Sequence, residues 1–208
     1  MGWESSWGYP PYVKVAERKK QAARKIAQLK KKGHAIEPIV VEGRTIATTF
    51  WGKAWCKHLE KYSDYENRLP RGRTYVRNGS VIDLKLNPGT IKALVSGSSI
   101  YTVEITIDPF SPSKWEALIK ECSGKIDSLI ELLQGTFSKG VMEVIMHAEK
   151  GLFPHSHEIK LKCSCYDWTD MCKHAAAALY GIGAHLDDRP EDLFLLRQVD
   201  HTALLTQA

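Results

Sequence analysis

The chain contains 208 residues, of which 43% are hydrophobic and 25% are charged, a globular composition that excludes an intrinsically disordered protein. Its 29 lysines and arginines against 24 acidic residues give a net charge of +5, so the chain is mildly basic. No stretch approaches the run of about eighteen apolar residues that a membrane span needs, and no apolar signal segment begins the chain, so the sequence predicts a soluble, cytoplasmic protein without a membrane partner.

The first predicted element is a strongly basic helix over residues 13–33. Nine of its residues are lysine or arginine and one, Glu17, is acidic. Such a helix can lie along phosphates, and Lys19, Lys20 and Arg24 are its candidate nucleic-acid contacts. Two alternatives remain open: a solvated helix that docks through its narrow apolar stripe, or a helix that lies on a membrane surface.

A second basic cluster follows at residues 65–79. Pro70 and Gly72 are helix breakers and Asn78-Gly79 is a turn signal, so the sequence predicts an exposed loop. Arginine binds phosphate with both arms of its fork and stacks on bases, which makes four arginines candidate nucleic-acid contacts: Arg68, Arg71, Arg73 and Arg77. The alternative is structural, with arginines that tie down a long loop through carbonyls and carboxylates.

The chain around this cluster predicts an α+β fold with a small antiparallel sheet. A helix at residues 50–62 carries Trp51 and Trp55 on one face, as a core helix does. Three runs predict strands in meander order, at residues 81–86, 91–95 and 100–107. Further helices are predicted from Ser111-Pro112, at 125–134 and at 138–148, and two short helices begin at Pro190 and Asp200.

Near the C-terminus four residues form the pattern C-x-C-x6-C-x-H: Cys163, Cys165, Cys172 and His174. Three thiols and an imidazole are a complete ligand set for tetrahedral zinc, so the spacing predicts one structural Zn²⁺ with no open position for a substrate. A strand running into Cys163 would point Cys163 and Cys165 to one face. Cys172 would lie in the turn before a helix and His174 in its first turn, while Asp167 and Asp170 could orient the ligands.

This pattern, where it enters an alanine-rich helix, resembles the SWIM zinc finger. The run GLFPHSHEIKLKCSCYDWTDMCKHAAAALYGIG is similar to one bacterial group of SWIM proteins, and so are RTIATTFWGKAWCKHLEKYSDYENRLPRGRTYVRNGSVIDLKL, LVSGSSIYTVEIT and HLDDRPEDLFLLRQVDHTALL. Tyr166 and Gln198 stand where we expect proline and glycine in that group. The resemblance implies a protein that binds DNA or another protein, often in connection with Snf-type helicase ATPases.

These features divide the chain into five segments. We expect a loose arm at 1–12, the basic helix at 13–33, an α+β domain with a helical section at 34–150, a ββα-like SWIM zinc-binding module at 151–186, and short C-terminal helices at 187–208.

The sequence carries no P-loop, nucleophile elbow, zinc-protease or dinucleotide motif, so we expect a non-enzymatic protein without a small-molecule substrate. The predicted function is a zinc-binding accessory that binds nucleic acid, with DNA the first expectation, and works with a helicase-like ATPase. Lys173, beside the metal ligands, completes its candidate contacts. The alternative is an adaptor that docks on a larger DNA-processing machine through its finger and four acidic residues, Asp187, Asp188, Glu191 and Asp192.

Overall fold

A four-stranded antiparallel sheet lies at the centre of the computed structural model, which describes residues 13–62, 67–167, 169 and 171–206. Its strands follow the order β1 (Val81–Asn87), β2 (Thr90–Ser96), β3 (Ile100–Ile107) and β4 (Ile159–Cys163). The predicted three-strand meander and the α+β class are confirmed. The predicted arm at residues 1–12 lies outside the described residues.

The fourth strand comes from the segment that carries the cysteine motif. β4 pairs with β3, with Cys163 opposite Val103 and Ile159 opposite Ile107. Along β3 buried and exposed residues alternate, so one face of this strand is covered and its other face meets solvent, whereas the first four residues of β1 are all buried. The strand predicted before Cys163 is therefore a strand of the main sheet, and its last residue delivers the motif to the sheet edge.

Nine α-helices accompany the sheet in the part of the chain that the structure describes: α1 (Val15–Lys31), α2 (Phe50–Leu59), α3 (Leu69–Arg77), α4 (Pro112–Cys122), α5 (Leu129–Gln134), α6 (Lys139–Ile145), α7 (Lys173–His185), α8 (Asp192–Arg197) and α9 (Ala203–Thr206). The predicted helices near residues 50–62, 112–122, 125–134 and 138–148 are confirmed with shifted ends. No described helix combines the length and the apolar character that crossing a bilayer requires.

α7 is the central helix of the fold. It is buried without interruption from His174 to Gly183 and packs against α2, α3 and the sheet. The indole N–H of Trp55 on α2 donates a hydrogen bond to the Leu179 carbonyl at 2.7 Å. Trp51 and Trp55 are almost fully buried, which confirms that this face of α2 belongs to the core.

The predicted loop over residues 65–79 is wrong for most of its length, because Leu69–Arg77 forms helix α3. Pro70 occupies the first turn, where its missing N–H removes no helical hydrogen bond. Gly72 faces α7, where a Cβ would lie only 2.6 Å from the Cβ of Ala176. Gly72 therefore permits close packing of the two helices. The predicted turn at Asn78-Gly79 is confirmed, since Gly79 has a positive φ of 68° just after the helix.

The predicted basic helix is confirmed as α1. Ala22 is buried and the other residues of the apolar stripe are half-buried, so this stripe faces the protein next to β2. Arg18 lies on the same side with its guanidinium 4.4 Å from the centre of the Tyr75 ring. The helix is therefore docked on the domain by one face, which leaves its remaining basic residues outward.

Candidate metal centre

The end of β4 and the beginning of α7 place four metal-ligating side chains together. Cys163 is the last residue of β4, and Cys165 follows in the bend after it. Cys172 is the N-cap of α7 and His174 lies in its first turn, as the spacing predicts. One donor atom from each residue lies within 4.8 Å of all the others. The structure thus gathers the predicted quartet where a strand and a helix meet.

The distances within this quartet are compatible with a single tetrahedral ion. The sulfurs of Cys163 and Cys172 each lie 3.9 Å from Nδ1 of His174. With Zn–S near 2.3 Å and Zn–N near 2.0 Å, tetrahedral zinc separates a sulfur and a nitrogen ligand by about 3.5 Å. Small side-chain rotations would close this difference, so the donor set fits an ion of that size.

Hydrogen bonds within the quartet separate the pKa values of its thiols. Cys172 accepts a hydrogen bond from the Cys163 thiol and one from the backbone N–H of Ala175, and its pKa is lowered to about 3. The bond to Cys172, with burial, raises the pKa of Cys163, and burial raises that of Cys165. A bound cation would reverse both increases, because metal ligation requires thiolates.

Aromatic rings hold the imidazole of His174 in place. Tyr101 on β3 stacks on it with ring centres 4.2 Å apart, and Tyr75 on α3 meets it edge-on at 5.5 Å. At Gly97 a Cβ would lie 2.7 Å from Nε2 of His174, so the turn after β2 closes the remaining side. These contacts turn Nδ1 toward the thiols. Sequence spacing did not reveal them, since the three residues lie at least 73 positions before His174.

An ion pair connects Arg68, the N-cap residue of α3, to the loop between the ligands. Arg68 lies 3.2 Å from the carboxylate of Asp167, and the backbone N–H of Asp167 hydrogen-bonds to the sulfur of Cys165. Thr169 also donates to the Asp167 carboxylate at 2.9 Å. Asp167 thus orients a ligand through its backbone, in line with the predicted supporting role, whereas Asp170 lies outside the described residues.

The predicted nucleic-acid contacts fall into two groups. Arg68 and Arg73 form ion pairs with carboxylates, Arg68 with Asp167 at 3.2 Å and Arg73 with Glu60 at 2.6 Å. For these two residues the structure therefore shows the alternative role, in which arginines hold their own segment in place. The others form no ion pair with another described residue: Arg71, Arg77, Lys19, Lys20 and Arg24 are exposed, and Lys173 is half-buried at the start of α7. Whether any of these residues contacts nucleic acid stays a prediction.

Comparison with known proteins gives a similar protein of uncharacterized function but shows no family. No family model matches the chain. No solved structure matches it either. The chain is similar to Uncharacterized protein Rv2102 of Mycobacterium tuberculosis, with 33% identity over 163 residues. The match covers 77% of this chain and 58% of that protein, so it spans less than two thirds of the relative's length.

Proposed function

We propose that this protein is a zinc-binding, non-enzymatic accessory that binds nucleic acid, DNA in the first place, through its basic residues. The observation that carries the proposal is the gathering of three thiols and one imidazole within 4.8 Å at the junction of β4 and α7. The resemblance to SWIM zinc fingers supports the same metal, and it supports a helicase-like ATPase as the partner.

Zinc suits this site better than magnesium or calcium does. Three sulfurs and one nitrogen are soft ligands in a tetrahedral arrangement, whereas magnesium and calcium prefer oxygen. Four protein ligands leave no position for a reacting water, so the ion would be structural. It would join the sheet edge at Cys163 to the N-terminus of α7, and its binding energy would stabilise the central helix.

Unpaired positive charge supports the nucleic-acid part of the proposal. The exposed cations Lys19, Lys20 and Arg24 on α1, with Arg71 and Arg77 on α3, make no ion pair with another described residue. Such cations can neutralise phosphates and release condensed counterions, which produces affinity that depends on salt. Arg68 and Arg73 add less support, because carboxylates already hold them.

An adaptor remains the second candidate, and one observation favours it. Tyr166, in the loop beside the ligand Cys165, is 77% exposed, as an aromatic anchor for a protein partner would be. The acidic docking residues support it less. Asp187 accepts hydrogen bonds from Thr48 and Thr49, and Asp192 lies 2.6 Å from His185.

The experiment that tests the proposal measures metal content and nucleic-acid binding on the same preparation. Elemental analysis should find one zinc per chain. Fluorescence anisotropy with labelled single- and double-stranded DNA and RNA should show affinity that falls steeply as salt increases. If folded, zinc-loaded protein binds no nucleic acid at low salt, the accessory function is wrong, and a stable, salt-resistant complex in pull-down would favour the adaptor. Absence of metal after purification with zinc would overturn the zinc site.

A further inference from the structure

A basic cleft, whose lining contains none of the metal ligands, lies between the segment before α2 and the helices α2 and α3. Its volume is about 440 Å³, and Tyr180 of the central helix α7 contributes to its lining. Five cationic residues and one acidic residue line the cleft: Arg44, Lys53, Lys57, Arg73, Arg77 and Glu60. Positive charge is thus concentrated on a concave surface.

Helical spacing produces the cleft. Lys53 and Lys57 lie one turn apart on α2, and Arg73 and Arg77 lie one turn apart on α3. Both pairs therefore project from single helix faces, and those faces meet across the cleft, with Arg44 added from the preceding segment. The pairing of Arg73 with Arg77 depends on residues 69–77 being a helix. A loop at these residues, as the local propensities predict, would not bring the two arginines to one face beside the lysines of α2.

The single carboxylate in the cleft does not neutralise it. Glu60 binds Arg73 at 2.6 Å and accepts a hydrogen bond from the Tyr180 hydroxyl at 3.4 Å. Arg44, Lys53, Lys57 and Arg77 form no ion pair with any other described residue. Lysines on an open helix face would be ordinary solvated charges, but four unpaired cations facing one concavity repel one another. Concave walls also focus their field on an anion.

We propose that this cleft binds consecutive phosphates of a single-stranded nucleic acid, an inference that rests on the proposed nucleic-acid function. The volume of about 440 Å³ is that of a small-molecule site, so a flexible strand can lay phosphates into it whereas a stiff duplex would rest on its rim. The lysines and Arg77, which form no ion pair with another described residue, follow the phosphate backbone, while Arg73 stays bound to Glu60. Half-buried Ile46, beside Arg44, supplies an apolar surface for a sugar or base.

The test compares variants with equal changes in charge, each first checked for zinc content and for unchanged circular dichroism. The cleft variant carries Lys53→Ala, Lys57→Ala and Arg77→Ala. The control variant carries Lys92→Ala, Lys120→Ala and Lys125→Ala, three exposed lysines that do not line the cleft. A third variant, Lys53→Arg with Lys57→Arg, keeps the charge. Binding of labelled single-stranded DNA and RNA, and of a duplex of the same sequence, is measured over a salt series.

The cleft variant should lose roughly tenfold or more in single-strand affinity at low salt. The magnitude of the slope of log K against log salt should fall by about 2, because three cations are removed and each single-strand phosphate contact contributes about 0.7. The control variant and the charge-keeping variant should bind within about threefold of the wild type.

If the wild type binds but the cleft and control variants lose affinity equally, the proposed function stands and the cleft assignment is wrong. A cleft variant that weakens duplex binding as much as single-strand binding overturns the single-strand assignment. If the wild type binds no nucleic acid, the proposed function and the cleft assignment both fail.

Discussion

Gly72 on α3 and Ala176 on α7 bring two helix backbones into direct contact. A Cβ on Gly72 would lie 2.6 Å from the Cβ of Ala176 and 2.7 Å from its carbonyl carbon, well inside van der Waals contact. The close approach of α3 has two consequences for the metal centre. It sets Tyr75 against His174, and it places Arg68 beside Asp167.

The first prediction concerns this contact. Gly72→Ala should destabilise the protein by about 1–3 kcal/mol, because the added methyl group overlaps the backbone of α7 and must push the helices apart. Gly140→Ala on α6 is the matched control, since a Cβ there meets only Ser138 Oγ, at 4.0 Å. That variant should be neutral or stabilising by up to about 1 kcal/mol. Urea unfolding measures both, and equal effects would contradict the packing role of Gly72.

The same glycine shows why part of the fold escaped prediction from sequence. Pro70 and Gly72 favour a loop by local propensity, but proline is tolerated in a first helical turn and glycine is selected here by a helix more than a hundred residues later. The meander and the ligand quartet were predictable because they depend on local periodicity and short spacing. The pairing of β4 with β3 and the stacking of Tyr101 on His174 join distant segments, which periodicity cannot connect.

Gln198 adopts a backbone conformation that favours glycine. Its φ of 56° is the only positive φ of a non-glycine residue in the described chain. It follows the last residue of α8, where a left-handed residue ends the helix. Because a side chain disfavours this conformation, local propensity does not predict it at a glutamine.

A second prediction separates ligand cysteines from core cysteines. Cys165→Ala should reduce zinc affinity by about two orders of magnitude or more. The binding free energy of structural zinc is typically about 10–16 kcal/mol, and here four ligands share it. Cys56→Ala should retain zinc, because Cys56 lies on α2 and does not belong to the group of four donor atoms that lie within 4.8 Å of one another. Competition with a chromophoric chelator measures both affinities. Loss of zinc from the Cys56 variant alone would contradict the assigned quartet.

Asp187 carries a third prediction, which bears on the adaptor alternative. Its carboxylate accepts hydrogen bonds from the backbone and hydroxyl groups of Thr48 and Thr49, at the N-terminus of α2. Asp187→Asn should therefore cost about 1–2 kcal/mol of stability. Its exposed neighbour provides the control, as Asp188→Asn should change stability by less than about 0.5 kcal/mol. If the Asp187 variant unfolds at the wild-type denaturant concentration, the carboxylate is not structural and is free to dock a partner.

A fourth prediction follows from the ion pair between Glu158 and the buried Arg197, whose atoms lie 3.0 Å apart. Burial alone would raise the pKa of Glu158, but hydrogen bonds from the backbone of His155 and from Arg197 outweigh it and lower the pKa from its usual 4.5. The carboxylate therefore contributes its full stability above about pH 4.5 and loses it as the pH falls through the lowered pKa. Glu158→Gln should cost about 3 kcal/mol at pH 7, because it leaves the charge of Arg197 uncompensated.

The difference in stability between the wild type and Glu158→Gln should become smaller as the pH falls, because protonation of Glu158 then removes the same ion pair from the wild type. Glu116→Gln, at an exposed glutamate of α4, should change stability by less than about 0.5 kcal/mol. Denaturant unfolding from pH 7 down to the acid transition tests both variants. A constant difference between wild type and Glu158→Gln over that range would contradict the role of the ionised pair.

The ion pair between Arg68 and Asp167 leads to the last prediction, which decides between two roles of the same arginine. If Arg68 holds the ligand loop, Arg68→Ala should weaken zinc binding by about tenfold, the lower end of the effect of residues that support metal ligands. Arg71→Ala is the control. It removes the same charge from an exposed arginine one helical turn later, and it should leave zinc affinity unchanged. If instead both variants keep wild-type zinc affinity and only nucleic-acid binding falls, Arg68 acts as a phosphate contact and the loop is held without it. Arg68→Lys distinguishes further, because lysine keeps the charge but loses the planar fork that fits a carboxylate, so it should restore zinc affinity only in part.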